Sequence, residues 1–189
     1  MPLLMVDYEI FVAGLPELRN YAAPRIGHVI SFLDPDYDAD EHFETLAGIE
    51  RSEFRFHDLI EPGDATILPE RDAIETLLTL GDALHERTPA AVLVHCHAGI
   101  SRSTAAAAIL MAQYNPGRET EVCERLVGIR PQAWPNSRMI RFADDLLERD
   151  GALMAAVETI YRRAAADRPD LVAALRRFGR GAEVPTDID

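Results

Sequence analysis

Short, unbroken apolar runs alternate along the chain with longer stretches in which apolar residues recur every three or four positions. These are the periods of buried strands and of amphipathic helices. Leu4 to Val6 with Ile10 to Ala13, His28 to Leu33, Phe54 to His57, and Ala91-Val92-Leu93-Val94 running into His95-Cys96 read as strands. The last has no polar alternation, as expected of a central strand covered on both faces. Pro69 to Arg87 places Ile74, Leu77, Leu78 and Leu84 on one helical face, opened by a proline whose missing N–H costs little in a first turn. Ser101 to Gln113 is apolar nearly all round and predicts a buried helix, stopped by Asn115-Pro116-Gly117. Glu119 to Ile129 keeps Val122, Leu126 and Ile129 in register. A further helix opens at Asn136 or Ser137, carries Ile140, Ala143 and Leu147, and ends at Asp150-Gly151.

This order predicts an α/β protein with a central, mainly parallel sheet flanked by helices on both faces. Two more helical stretches, about Ala152 to Ala165 and Pro169 to Phe178, read as an appendage on the same core, and their stripe Leu171, Leu175 and Phe178 requires a partner surface. A length of 189 residues suits one domain. Residues 1–178 are therefore read as one unit, and 179–189, without apolar periodicity, as a loose tail.

Composition narrows the class. With 48% hydrophobic and 27% charged residues, wholesale disorder and disulfide scaffolds drop out. No apolar run approaches the ~20 residues that cross a bilayer. Met1-Pro2-Leu3-Leu4-Met5-Val6-Asp7 has no basic segment and meets an acid before a signal core forms. A cytoplasmic protein without membrane insertion is the expectation. Nineteen basic against thirty-two acidic residues give a formal charge of −13, which argues against nucleic acid and anionic lipid as non-specific partners. All nineteen are arginine, a bias attributed first to codon usage. Cys96 and Cys123 are too few for a stapled framework, and Cys123, on an apolar face with Val127, reads as core.

The chemistry concentrates in Ala91-Val92-Leu93-Val94-His95-Cys96-His97-Ala98-Gly99-Ile100-Ser101-Arg102-Ser103, a buried strand feeding a buried helix through one short loop. A loop at a helix N-terminus presents unpaired amides and the positive end of the macrodipole, both suited to a phosphate dianion. Gly99 permits a tight turn. Arg102, six residues after Cys96, is placed to aim its fork at the same oxygens. A cysteine in such a field favours its nucleophilic thiolate form.

His95-Cys96, five intervening residues, then Arg102 and Ser103 resemble the signature of the protein tyrosine phosphatase superfamily, in its compact, dual-specificity-like (bacterial tyrosine phosphatase-like) branch. The resemblance spans about residues 28–147 and leaves the helices of 152–178 unmatched. It implies a cysteine phosphatase fold with extra C-terminal helices, and a phosphomonoester hydrolase working through a phosphocysteine. Cys96 is then the nucleophile, Arg102 the phosphate clamp and Ser103 the thiolate partner. His97, Ala98, Gly99, Ile100 and Ser101 become the phosphate cradle, and His95 orients the loop. It also implies an upstream aspartic acid that protonates the leaving oxygen. Asp58, just past the Phe54 to His57 run, is preferred over Asp64, which stands at the more usual separation from the cysteine. Asn136 resembles an asparagine that brace-bonds the phosphate loop, and reads equally as a helix cap. Trp134, between prolines, reads as packing.

The implied substrate is a phosphorylated protein, phosphotyrosine foremost, or a small phosphomonoester, with no metal or organic cofactor and no indication of oligomeric state. Two alternatives stay open: a phosphoinositide or other non-protein phosphate as substrate, and a phospho-residue binding module without turnover. His95 and His97 flank Cys96, yet strand alternation sends the cysteine to the other face and no CxxC or HExxH partner exists, so a metal site is not expected. The acids Asp34, Asp36, Asp38, Asp40, Glu41 and Glu44 lack the spacing of a calcium loop and read as a solvated face. Arginines 162, 163, 168, 176, 177 and 180 read as the wet side of the terminal helices.

Overall fold

A computed structural model describes residues 5–187. Among them β1 (Glu9–Gly14), β2 (His28–Leu33), β3 (Arg51–Arg55) and β4 (Ala91–Cys96) form one sheet in the order β1-β4-β2-β3. Every pairing is parallel. β4 lies between β1 and β2, with Val94 opposite Val12 on one side and Ile30 on the other, and all six of its residues are buried. That position is what its unbroken apolar run anticipates.

Alternation along the strands sorts side chains into two cores. Ile10, Val12, Ile30, Phe32, Val92, Val94 and Cys96 face one, while Ala13, Val29, Leu33, Ala91 and Leu93 face the other. The first is filled by α1 (Arg71–Arg87), α2 (Arg102–Gln113), α3 (Glu119–Ile129), α4 (Ser137–Leu146), α5 (Ala152–Asp167) and α6 (Pro169–Arg177). Two short 3-10 helices, Leu15–Asn20 and Asp40–Leu46, close the second. Both faces are thus covered by helices, unequally. α2 is apolar all round because it packs against the sheet and also against α1, α3 and α4.

Several expectations change in detail. β3 spans Arg51–Arg55, not Phe54 to His57: it is an edge strand whose exposed charges Arg51, Glu53 and Arg55 mask its period, while Phe54 turns in and stacks on Phe32 at 4.9 Å. Met5 and Val6 are buried in bends outside the sheet, and Leu4 lies outside the described residues. α4 ends at Leu146. Leu175 and Val172 find the predicted partner surface, but Phe178, just past α6, is 64% exposed. Within the segment read as a loose tail, residues 179–187 are described and are seated on the fold. Residues Gly181–Glu183 form a 3-10 turn, and Arg180, Glu183 and Val184 are buried. Charged hydrogen bonds hold this segment, so apolar periodicity gives no sign of it. No helix among the described residues is long and apolar enough to cross a membrane.

Candidate active site

β4 delivers Cys96 as its last residue and α2 starts at Arg102, so five residues make the whole turn between them. Their carbonyls are satisfied from outside. His97 O accepts from Leu15 N (3.1 Å), Ala98 O from Arg130 Nη2 (3.2 Å), Gly99 O from Arg130 Nε (2.9 Å) and Ile100 O from Trp134 N (2.8 Å). Ser101 O accepts from Ala105 N at 2.9 Å and Asn136 N at 3.4 Å. Among the described residues the amides of 98–102 donate to no protein acceptor. A run of unpaired amides in one tight turn, with the carbonyls turned away, is suited to receive an anion.

Two glycines make this curvature possible. Gly99 has φ +68°, and a Cβ there would stand 2.6 Å from Ala13 C and Gly14 N. A Cβ on Gly14 would meet Ala98 C at 3.0 Å. The loop therefore lies directly on the end of β1. Arg130 is fixed in turn by Glu17, whose Oε1 accepts from Nη1 at 3.0 Å and whose Oε2 accepts from Gly14 N at 2.6 Å. Burial alone would raise the Glu17 pKa, but the bonds from Arg130 and Gly14 outweigh it and hold the carboxyl below its ordinary range.

Cys96 Sγ lies 3.1 Å from Ser103 Oγ, on the second residue of α2, and Cys96 is 2% exposed. His95 points to the opposite face. Its Nε2 is 2.7 Å from Ser31 Oγ on β2, and its ring meets Phe43 edge-on at 5.3 Å. It ties β4 to its neighbour at the mouth of the loop. Burial pushes its pKa down to about 3, so it is neutral.

Arg102 lies nearly buried under the loop. Its Nη1 donates to Asp34 Oδ1 at 2.8 Å and to Phe56 O at 2.5 Å, which leaves its buried Nε without a partner. Asp34 N donates to His97 Nε2 at 3.1 Å, fixing that nitrogen as the acceptor. Burial, aided by Arg102 and opposed by Asp34, lowers the His97 pKa. Asp34, read from sequence as part of a solvated face, is instead the counter-ion of Arg102, because the end of β2 lies beside the loop that follows β4.

Asp58 sits three residues past β3 and reaches the same place. Its Oδ1 accepts from Ser101 Oγ at 2.6 Å, Asn136 Nδ2 at 3.0 Å and Arg180 Nη1 at 3.1 Å. Burial opposes its ionisation, but Arg180 first, then Arg102 and the bonds from Ser101 and Asn136, hold its pKa below the ordinary value. Asp64 is exposed and shares none of these bonds. Asn136 fills the capping role, its Oδ1 accepting from Met139 N at 3.2 Å, but its side chain does not bond the loop between β4 and α2: Nδ2 donates to Asp58 and to Leu59 O, and only the Asn136 backbone amide reaches that loop, at Ser101 O. Trp134 is fully buried, stacked on Tyr161 at 4.6 Å.

Arg180 and Glu183 come from the segment read as a tail, and Arg180 is not on the wet side of a helix. Glu183 Oε2 accepts from Trp134 Nε1 (3.0 Å) and Arg180 Nε (2.8 Å), and its Oε1 accepts from Ser137 N (2.7 Å). Arg180 Nη1 also donates to Ser101 Oγ at 2.6 Å. Nothing local in the sequence marks this pair. Cys123 is buried, which pushes its thiol up to about 12. Among the described residues no three His, Cys, Asp or Glu side chains gather to hold a metal ion.

A four-stranded parallel sheet with this arrangement of helices is a known fold. Solved structures share it: the PTP-2 phosphatase of Cydia pomonella has a TM-score of 0.56 at 20% identity, covering 72% of this chain and 84% of its own. DUSP15 gives 0.55 at 16%, covering 85% and 95%. PTPMT1 in complex with PI(5)P gives 0.52 at 18%, covering 86% and 98%. No family model and no curated protein matches the sequence. The likeness is therefore one of fold, that of the dual-specificity and tyrosine phosphatase structures.

Proposed function

We propose that the protein is a cysteine-dependent phosphomonoester hydrolase acting through a phosphocysteine, with phosphotyrosine as its substrate class. The observation that carries this reading is the loop of free amides, every carbonyl braced outward, wrapped between Cys96 and the unpartnered Nε of Arg102.

In the first step the Cys96 thiolate attacks phosphorus, the bond from phosphorus to the substrate oxygen breaks, and Asp58, in the protonated form that its donors disfavour, gives its proton to that oxygen. The amides of 98–102 and the Arg102 Nε edge hold the three equatorial oxygens as charge redistributes, a stabilisation already in place before reaction. In the second step ionised Asp58 takes a proton from water, the water oxygen bonds to phosphorus, and the S–P bond breaks. Ser103, 3.1 Å from the sulfur, donates to the departing thiolate. His97, half-buried in the loop, meets the ring of Tyr37 edge-on at 4.5 Å, and Tyr37 is 36% exposed, which puts an aromatic face beside the loop. That aromatic wall suits a phenyl ring more than a sugar or an inositol.

A second reading, a phosphoinositide substrate, draws on the likeness to PTPMT1 with PI(5)P. The loop here carries His97, Ala98 and Ile100 without a lysine, and the chain's charge is −13, which weigh against a polyanionic headgroup.

Cys96→Ser is expected to abolish phosphate release from an aryl phosphate at neutral pH, and persisting turnover would eliminate the covalent mechanism. Asp58→Asn is expected to lower kcat by ~10² or more while Asp64→Asn leaves it within about twofold. The opposite order would move the acid to Asp64.

A further inference from the structure

Arg180 stands 122 residues from Asp58 in sequence, beyond the last helix, yet donates to the carboxyl at the loop. Its side chain is 7% exposed and faces Glu183 on its other side. Glu183 is pinned by the indole of Trp134 and by the first amide of α4, so the guanidinium is placed by the fold and not by surface chance. Both Trp134 and Asn136 also touch the phosphate loop through their backbone amides. One set of contacts thus seats the terminal segment and the loop together.

The geometry around Asp58 gives this placement a chemical meaning. Ser101, Asn136 and Arg180 all converge on Oδ1, and none of them binds Oδ2. A carboxyl held this way stays anchored through Oδ1 in either protonation state, because the carbonyl oxygen of the acid still accepts through its two lone pairs. Its plane stays fixed while Oδ2 gains or gives the proton, and the side chain retains 30% exposure.

We propose that Arg180 is a positioning residue for proton transfer, so that the segment after α6 is a working part of the active site. The inference rests on the reading of Asp58 as the acid and base of the proposed reaction. The charged and titratable groups that face Asp58 are the guanidinium groups of Arg180 from the C-terminal segment and Arg102 from α2 and the His97 imidazole from the loop, with Asp34 and Glu183 behind the two arginines. Asp58 must carry its proton to serve as acid, so the descending, alkaline limb of kcat/KM reports its ionisation. Arg180 favours the ionised form and draws that limb to lower pH.

The test compares the full chain with Arg180→Met and Arg180→Lys, measuring kcat/KM against pH on phenyl phosphate and on nitrophenyl phosphate. Nitrophenol leaves well without a proton and phenol does not. In the pH-independent plateau of kcat/KM, below the alkaline limb, Arg180→Met is expected to lose ~10 to 100-fold on phenyl phosphate but less than about threefold on nitrophenyl phosphate. Its alkaline limb should move up by about one to three pH units as the counter-charge is removed. Arg180→Lys should restore part of both. Equal losses on the two substrates with an unmoved limb would reduce Arg180 to a structural prop and overturn the inference. If the Met variant does not fold, as judged by thermal melting, Glu183→Gln, which loosens the seat of Arg180 and keeps its charge, must show the same split between substrates in smaller measure. Its absence counts equally against the inference. Cys96→Ser is run beside them: turnover that survives it sinks the proposed function, whereas Cys96-dependent turnover without the split sinks only the role of Arg180.

Discussion

Ser103 and Arg102 touch the proposed reaction at different moments, and substitutions should separate them. Ser103→Ala removes the hydroxyl 3.1 Å from Cys96 Sγ and is expected to slow release of the thiolate. A rapid-quench experiment should then show a burst of phenol followed by slow turnover; a single slow phase would contradict that role. Arg102→Lys keeps the charge but loses the fork that binds Asp34 and Phe56 while offering Nε. A loss of ~10² or more in kcat/KM is expected, since a planar fork is not replaced by a point charge. His95 writes its own pH signature. Its folded pKa of about 3 lies below the 6.5 of an ordinary imidazole, so between these values the unfolded chain binds a proton that the folded one refuses. Stability is at its full value above pH 6.5 and falls as pH drops toward 3, by up to ~1.4 kcal/mol per pH unit from this group. Urea unfolding of His95→Gln should show a flatter acid limb than wild type, and an identical slope would exclude His95 as its source.

At the scale of elements, the strand, turn and helix around Cys96 are legible because the determinants are neighbours in sequence. A buried strand needs an apolar run, the turn needs Gly99, and a helix surrounded on all sides needs the alanines of α2. Replacing Gly99 by Ala tests this directly. The added Cβ would sit 2.6 Å from the β1 backbone at a φ of +68°, so the loop must shift. Affinity for a phosphate mimic such as vanadate is expected to fall while most of the fold's stability remains. Unchanged inhibition would show that the curvature matters less than the contacts suggest. The apolar pattern reads β3 three residues late, because an edge strand exposes one face and its outward charges hide the alternation. The 3-10 helices over the second core follow no period long enough to read.

At the scale of the molecule, what the sequence could not reveal is the set of charges that meet across long separations. Asp34 reaches Arg102 over 68 residues and Arg180 reaches Asp58 over 122. Each is an ordinary surface residue type in an ordinary surface context, and only the closure of the fold distinguishes them from the many charges that stay in water. Asp58 itself was readable from its place just beyond a strand, whereas the three donors that converge on it come from α2's start, α4's cap and the chain's end. The C-terminal segment is held by polar bonds, so its energetics should respond to one indole. Trp134→Phe keeps the stack on Tyr161 but strands Glu183, and is expected to cost about 1 to 3 kcal/mol in urea unfolding. A change within ~0.5 kcal/mol would mean that the segment is not anchored there.

The central claim is a bond from the sulfur of Cys96 to phosphorus. Asp58→Asn turned over with nitrophenyl phosphate should accumulate the intermediate, because the leaving group departs unaided while water is no longer activated. After acid quench and digestion, mass spectrometry is predicted to find one phosphoryl group on the peptide holding Cys96, lost in Cys96→Ser. Phosphate carried by any other residue, or turnover with no labelled peptide at all, would contradict it.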